Sequence, residues 1–281
     1  MIVRRLARLA LTLGPSLVTI GLGVPVNEDA ERKRSGVLPV AIRAVTLDVG
    51  GTLWPNSWPD RERAEAEGRR RLATAVPALQ RSLDPFMAEL RSWEEAQEGE
   101  LAQDTVGTLV DIASRVGVSA SDEVADRMRR ALALPIEGHS TPFAGFRALF
   151  DTIAELKLRC ILLTNTLVGN AEDRWRDLRS VGVEGFVDDV ITSADVGWRK
   201  PDRRIFERAI ASAECEPQEI VHVGNSEYHD VEGATAVGRR TILVAIEDPI
   251  PDQSRADAIA TSLPEVAAIL RDWTHASMSS S

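Results

Sequence analysis

The chain has 281 residues, 44% hydrophobic and 27% charged, a balance that can bury a full core and excludes extensive disorder. Asp and Glu outnumber Lys and Arg by 43 to 33, for a formal net charge of −10. No basic stripe or aromatic-rich run is present to neutralise a phosphate backbone, which excludes nucleic acid as a partner. The two cysteines, Cys160 and Cys215, form no CxxC pair and have no histidine at ligand spacing, so neither a zinc site nor an oxidising compartment is expected.

Residues 1–39 differ in character from the rest of the chain. Arg4, Arg5 and Arg8 precede an uncharged stretch from Leu9 to Val26, and a charged patch runs from Glu28 to Arg34. Three readings stay open. A basic start and apolar middle fit a signal peptide or membrane anchor. Against it stand Gly14, Pro15, Gly21, Gly23 and Pro25, the lack of an Ala-x-Ala cleavage site, and a length of about 18 residues, at the lower limit of a span. An overlong gene reading is favoured, because the first strand of the folded part begins just after Val40; a flexible extension is the third reading. Barring an anchor in residues 1–26, the expected location is the cytoplasm.

From Arg43 to Asp48 a short β-rich run stops abruptly at Gly50-Gly51, as a buried strand does at its carboxyl end. No convincing strand follows until beyond Gly138. Phe86, Leu90 and Trp93 form one apolar helical stripe; Val106, Leu109, Val110, Ala113 and Val116 form a second, stopped by Gly117. Ser121, followed by Asp122 and Glu123, reads as an N-cap opening a helix through Val124, Met128 and Leu132. About 75 residues exceed a normal crossover, so residues 59–139 are expected to be a smaller all-helical domain.

Beyond it, Phe146, Leu149, Phe150, Ile153 and Leu156 recur at helical spacing, as do Ile205, Ala209 and Ile210. Apolar runs at Cys160 to Leu163, Val187 to Ile191, Ile220 to Val223 and Thr241 to Val244 alternate with these helices. That alternation predicts an α/β fold whose parallel sheet is covered on both faces, spanning residues 40–58 and 140–275. The polar end, residues 276–281, is expected to be disordered. In open parallel sheets ligands bind at the carboxyl ends of the strands, which makes the residues following each run the candidates for chemistry.

Four such ends carry a pattern: Asp48-Val49-Gly50-Gly51-Thr52; Leu163-Thr164-Asn165; Val196-Gly197-Trp198-Arg199-Lys200-Pro201-Asp202; and Gly224-Asn225-Ser226-Glu227-Tyr228-His229-Asp230, followed by Val231-Glu232-Gly233-Ala234. In order and spacing they resemble the four motifs of the haloacid dehalogenase superfamily, from about Arg43 to Trp273. The resemblance implies a Rossmann-like parallel core with a helical cap inserted between the first and second motifs. It also implies a catalytic set of Asp48 as nucleophile, Thr164 and Lys200. Gly51, Thr52 and Asn165 would bind substrate or phosphate, and Mg2+ would be held by Asp48, the Gly50 carbonyl, Asn225 and Asp230. His222 reads as a core residue and His229 as incidental.

The chain departs from the family's phosphatases at two places. Gly50 stands where they carry the acid that protonates the leaving alcohol, and Asn225 replaces the first acid of the fourth motif. The favoured expectation is a Mg2+-dependent phosphatase of a small phosphorylated metabolite, working through an aspartyl-phosphate at Asp48 and aided by a cap acid such as Asp60 or Glu62. Hydrolysis of a carbon–halogen bond, which needs neither proton nor metal, and a weakened binding or regulatory protein are the alternatives.

Overall fold

Each of the five apolar runs read from the sequence is a strand, and apart from some entry residues each is buried along its length, because the sheet is covered on both faces. The computed structural model describes residues 17–20, 24–27, 40–96 and 104–278. Its strands are β1 Leu17–Ile20, β2 Val24–Asn27, β3 Ala44–Leu47, β4 Arg159–Thr164, β5 Asp189–Thr192, β6 Ile220–Gly224, β7 Arg240–Val244 and β8 Ala258–Ala260. They lie in the order β1-β2-β8-β7-β6-β3-β4-β5. The six from β3 to β8 are parallel, and β1 and β2 pair antiparallel at one edge. Chain order reverses about β3, which is flanked by β4 on one side and β6 on the other. A crevice opens at such a switch point, beyond the carboxyl ends of the strands.

Two elements differ from the sequence reading. β8, Ala-Ile-Ala, is too short and too weakly apolar to stand out, yet it closes the parallel set beside β7. β2 pairs with β8 through Val26 and Ala258, so part of the segment read as leader or extension covers an edge that would otherwise present unpaired backbone groups. The rest of the readings for residues 1–39 fall outside the described residues. Among those described, no helix is long and apolar enough to cross a membrane.

The longer helices are α1 Arg61–Ala75, α2 Leu83–Glu95, α3 Thr105–Arg115, α4 Asp122–Leu132, α5 Phe146–Glu155, α6 Ala171–Ser180, α7 Arg203–Ala213 and α8 Leu263–Met278. Ser121 caps α4 by accepting from the Val124 N–H at 3.4 Å, and Gly117 follows α3 with φ +79°, as the sequence indicates. α8 continues to Met278, into the stretch expected to be disordered, because Ala276 and Met278 readily extend a helix already nucleated upstream. Residues 279–281 lie outside the described residues.

α5 and α8 cover one sheet face, where Phe146, Leu149, Phe150, Val266 and Leu270 meet Val45, Leu47, Leu162 and Val223. α7 covers the other, packing Ile205, Phe206 and Ala209 on Ala44, Ile161, Leu163 and Ile220. A further core forms wholly within residues 72–131, from Leu72, Leu79, Phe86, Leu90, Leu109, Ile112 and Met128. Polar ties join that helical part to the loop after β4 and to α6. The Thr105 hydroxyl donates to the Leu167 carbonyl at 2.7 Å, and buried Arg129 donates to the Val168 carbonyl at 3.1 Å and to Asp173 at 2.7 Å.

A core confined to residues 72–131 predicts a local response to damage. Phe86→Ala should cost about 3–5 kcal/mol. Hydrogen exchange should show amides of α1–α4 exchanging faster while those of β3–β7 hold; uniform acceleration across the chain would mean that the helices share the sheet's cooperative unit.

Candidate active site

Four chain segments converge at the switch point. Asp48 directly follows β3 and extends its ladder by one bond, its N–H donating to the Val223 carbonyl at 2.8 Å. Thr164 ends β4. Lys200 precedes α7, on a backbone clamped by Asn165, which accepts from the Lys200 N–H at 2.8 Å and donates to the Lys200 carbonyl at 3.1 Å. Asp230 lies in a π-helical turn, Glu227–Glu232, after β6. A Cβ on Gly224 would stand 2.3 Å from the Asp230 carboxyl carbon, so only glycine lets that carboxylate lie across the strand end.

Lys200 is 2% exposed, and its ammonium bridges the two carboxylates, 2.6 Å from Asp48 Oδ1 and 2.5 Å from Asp230 Oδ1. The second oxygen of Asp48 accepts from the Thr52 hydroxyl at 3.0 Å. Asp230 is held more fully: Oδ2 accepts from the Ser226 N–H at 2.9 Å, and Oδ1 lies 3.0 Å from His222 Nε2.

These contacts set the electrostatics. Burial pushes the Asp48 carboxyl upward, and the pull of Lys200 offsets it only in part because Asp230 repels. Burial acts on Asp230 as well, but Lys200 and the His222 hydrogen bond outweigh it and hold that carboxyl far below its ordinary range. Burial alone would lower Lys200, yet the two carboxylates raise it. His222 is pushed down by burial to about 4, only partly opposed by Asp230, and is therefore neutral at pH 7.

A cavity of about 910 Å³ opens over this group, lined by Asp48, Gly50, Thr164, Lys200, Asn225 and Asp230 among others. The Asp48 and Asp230 carboxylates, the Gly50 carbonyl and the Asn225 amide oxygen are hard oxygen donors, which suit magnesium in kind. They are few: among the described residues no group of three or more His, Cys, Asp or Glu is arranged to hold a metal.

Several assignments made from the sequence change. Thr52 is fully buried and spends its hydroxyl on Asp48, and the Gly51 N–H donates to the Trp54 carbonyl at 2.7 Å, so neither faces the cavity. Asn165 lines it, but both ends of its amide hold Lys200. Asp60 accepts from the Arg63 N–H at 2.9 Å as the cap of α1, Glu62 sits exposed in the first turn, and neither lines the cavity.

Trp58, Arg174, Arg199 and His229 do line it, although the sequence motifs do not mark them as binding residues. Adjacency to Lys200 is an available signal for Arg199. Trp58 and Arg174 carry no local signature.

A family model described as haloacid dehalogenase-like hydrolase matches residues 42–238. The chain is similar to glyceraldehyde 3-phosphate phosphatase of Methanothermobacter thermautotrophicus, 37% identical over 112 residues, which are 39% of this chain and half of that protein's length. It is 26% identical over 208 residues to the protein of the same name from Methanopyrus kandleri, covering 72% of this chain and 84% of the other. A crystal structure of 2-haloacid dehalogenase from Pseudomonas syringae pv. Tomato DC3000 superposes with a TM-score of 0.61 at 24% identity, covering 83% of this chain and 99% of that one; the likeness is one of fold.

Removing the bridging cation should expose the cost of burying two carboxylates together. Lys200→Met should lose about 3–5 kcal/mol at pH 7. In the variant, carboxyl pKa values raised above the unfolded range make the folded state bind the extra proton, so its stability falls as pH rises through the raised values. In the parent, Asp230 is depressed and Lys200 raised, so both contributions persist across that window, and only Asp48, raised by burial but held by Lys200, gives up part of its own. Urea melts should therefore show a smaller deficit at pH 5 than at pH 7; equal deficits would mean that the carboxylates are not coupled through Lys200.

Proposed function

The chain belongs to the haloacid dehalogenase-like hydrolases, and from that premise we propose that it is a phosphatase of a small phosphorylated metabolite with Asp48 as nucleophile. The observation that carries the reading is the Lys200 ammonium in contact with both Asp48 and Asp230 at the floor of the cavity. A cation in that position neutralises the attacking carboxylate and the incoming phosphoryl oxygens together.

In the reaction, an Asp48 oxygen attacks phosphorus, the bond from phosphorus to the leaving oxygen breaks, and an aspartyl-phosphate forms. Water then attacks phosphorus, the bond to Asp48 breaks, and orthophosphate leaves with the carboxylate restored. Thr52 orients Asp48 through its second oxygen, Asn165 fixes the Lys200 backbone, and the Thr164 hydroxyl at the end of β4 donates to a phosphoryl oxygen. Members of the family generally use Mg2+; here Asp48, the Gly50 carbonyl, Asn225 and Asp230 would hold it, and it would supply charge neutralisation at the phosphoryl group. Residues 59–139 would act as the cap that closes over substrate and excludes water.

Lack of a side chain at Gly50 removes the acid that family phosphatases place beside the nucleophile, which favours substrates whose leaving group departs as a stable anion. The same feature favours a second reading, hydrolysis of a small haloacid, in which halide departs without a proton. The polar lining, with Asn165, Asn225, Arg174 and Arg199, suits a phosphoryl substrate better than an apolar halide cradle.

Phosphate release from a panel of phosphomonoesters and acyl phosphates, with and without Mg2+, tests the assignment. It should require the metal and fall to background in Asp48→Asn; release unaffected by that substitution would remove the proposal, and halide release from short chlorinated acids in its place would establish the second reading. A Cβ on Gly50 would meet the Asn56 side-chain oxygen at 2.7 Å. An acid should therefore be restored best in the pair Gly50→Asp with Asn56→Ala, which should raise kcat on alkyl phosphates by about 10²-fold, the lower end of general-acid contributions. No gain in the pair, with folding intact, would show that leaving-group protonation does not limit turnover.

A further inference from the structure

Behind the two carboxylates runs a chain of hydrogen bonds with a single direction. Arg239 is fully buried, and although burial lowers its guanidinium to about 9 it remains a cation at neutral pH, able to donate and not to accept. It donates from NH2 to the Phe206 carbonyl at 2.5 Å and from NH1 to the Thr46 hydroxyl at 3.1 Å. Thr46, having accepted that bond, has one proton to give, and His222 Nδ1 stands 2.8 Å from the same oxygen. With Nδ1 as acceptor, the ring proton lies on Nε2, 3.0 Å from Asp230 Oδ1.

The far end of the ring demands the same arrangement. The opposite tautomer would set the Nε2 lone pair against a carboxylate oxygen, two acceptors at hydrogen-bond distance. Rigid elements hold the line in place. Thr46 and His222 are register partners on neighbouring strands β3 and β6, and the Phe206 ring meets the imidazole edge-on at 5.3 Å.

From this geometry we infer that His222 is a positioning residue of the catalytic group: as its Nε2–H tautomer it fixes the Asp230 carboxylate and, through Asp230, the Lys200 ammonium that contacts Asp48. The inference rests on the reading of Asp48 as nucleophile. Asp230 Oδ1 takes two donors, Lys200 and His222. Without the imidazole, the Ser226 N–H on Oδ2 and Lys200 itself remain, and Lys200 is the group that has to be held. Supporting contacts of this kind are typically worth 10–100-fold in activity when removed. Because His222 does not line the cavity, its loss should act on turnover and not on substrate binding.

The test has a spectroscopic arm and a kinetic arm, both on the full chain. There are four histidines, so the imidazole signals of His222 in a 15N-histidine-labelled protein are assigned by their disappearance in His222→Phe. Long-range 15N–1H correlation at pH 7 should show protonated Nε2 and bare Nδ1; a protonated Nδ1 would overturn the inference without any substrate being involved. In the kinetic arm, His222→Phe fills the ring's space without a donor and should lower kcat by about 10–100-fold with KM little changed. His222→Gln, which can present an N–H to Asp230, should recover part of that loss.

Should His222→Phe fail to fold, Thr46→Val supplies both arms. The His222 signals are then assigned by their perturbation in that variant, and kcat should fall in the same sense, with KM again unchanged. A phenylalanine variant that turns over like the parent, or a loss confined to KM, would show His222 to be packing alone. Absence of any Asp48-dependent phosphate release in the parent protein would count against the phosphatase reading, while the tautomer would still decide the position of His222.

Discussion

One ammonium group between two buried carboxylates organises this molecule. Lys200, Asp48 and Asp230 come from three distant stretches of chain; neither carboxylate is tolerable as an anion in the interior without the ammonium, nor the ammonium without carboxylates. That requirement explains the local backbone. Asp48 continues the β3 ladder by one bond, so its carboxylate starts from a fixed point, and Asn165 grips Lys200 by both its N–H and its carbonyl. Gly224 gives Asp230 room to lie across the end of β6. The switch point of the sheet is where strand ends belonging to different halves of the chain meet, and so where such a trio can be assembled.

The trio would still carry one excess negative charge. Arg239, buried on the sheet face covered by α7, balances it at a distance through Thr46 and the neutral His222. Counted together, Asp48, Asp230, Lys200 and Arg239 are neutral, which makes intelligible a fully buried arginine that has no carboxylate in contact among the described residues. The same line makes Asp48 and Asp230 unequal. Asp230, anchored by Lys200, His222 and the Ser226 N–H, is the committed anion of the pair; Asp48, with Thr52 and a share of Lys200, is the carboxyl that burial pushes upward. A group that has to accept a new bond during a reaction is better served by the second environment than by the first.

The sheet was legible because its strands are mainly apolar and end in glycine or polar punctuation. The strand-end residues Asp48, Thr164, Lys200 and Asp230 were legible as a set of motifs in order. What each side chain does with its hydrogen bonds was not. Thr52, Gly51 and Asn165 look like ligands for a phosphate, since a hydroxyl, an N–H and an amide at a strand end suit one, but only the fold shows that each is already engaged by Asp48, Trp54 and Lys200. A faint signal did exist for the buried line. Thr46, His222 and Thr241 are polar residues inside apolar strands, and they lie in one row across β3, β6 and β7. Without the register, each reads as an isolated exception. β8 left no signal of its own, since three residues of Ala-Ile-Ala become a strand only because β7 offers an edge to pair with.

The departures from the family pattern fall on one side of the chemistry. Everything that manages charge in the proposed reaction is present and mutually supported: the nucleophile, the cation over it, the hydroxyl at the end of β4 and the second carboxylate. What is missing is the acid two residues after the nucleophile, where Gly50 stands. Of the titratable groups elsewhere on the cavity wall, Glu227 spends both oxygens on Ser254 and the Arg255 N–H, while Glu94, Asp248 and His229 belong to other elements than the β3 turn; the helical acids Asp60 and Glu62 do not line it. Charge neutralisation lowers the barrier to attack on phosphorus whatever departs, whereas protonation matters in proportion to the basicity of the leaving oxygen. A site with the first in place and no acid beside the nucleophile at Gly50 favours selection by leaving group ahead of shape, and the proposed substrate is one that parts from phosphorus as an anion stable in water.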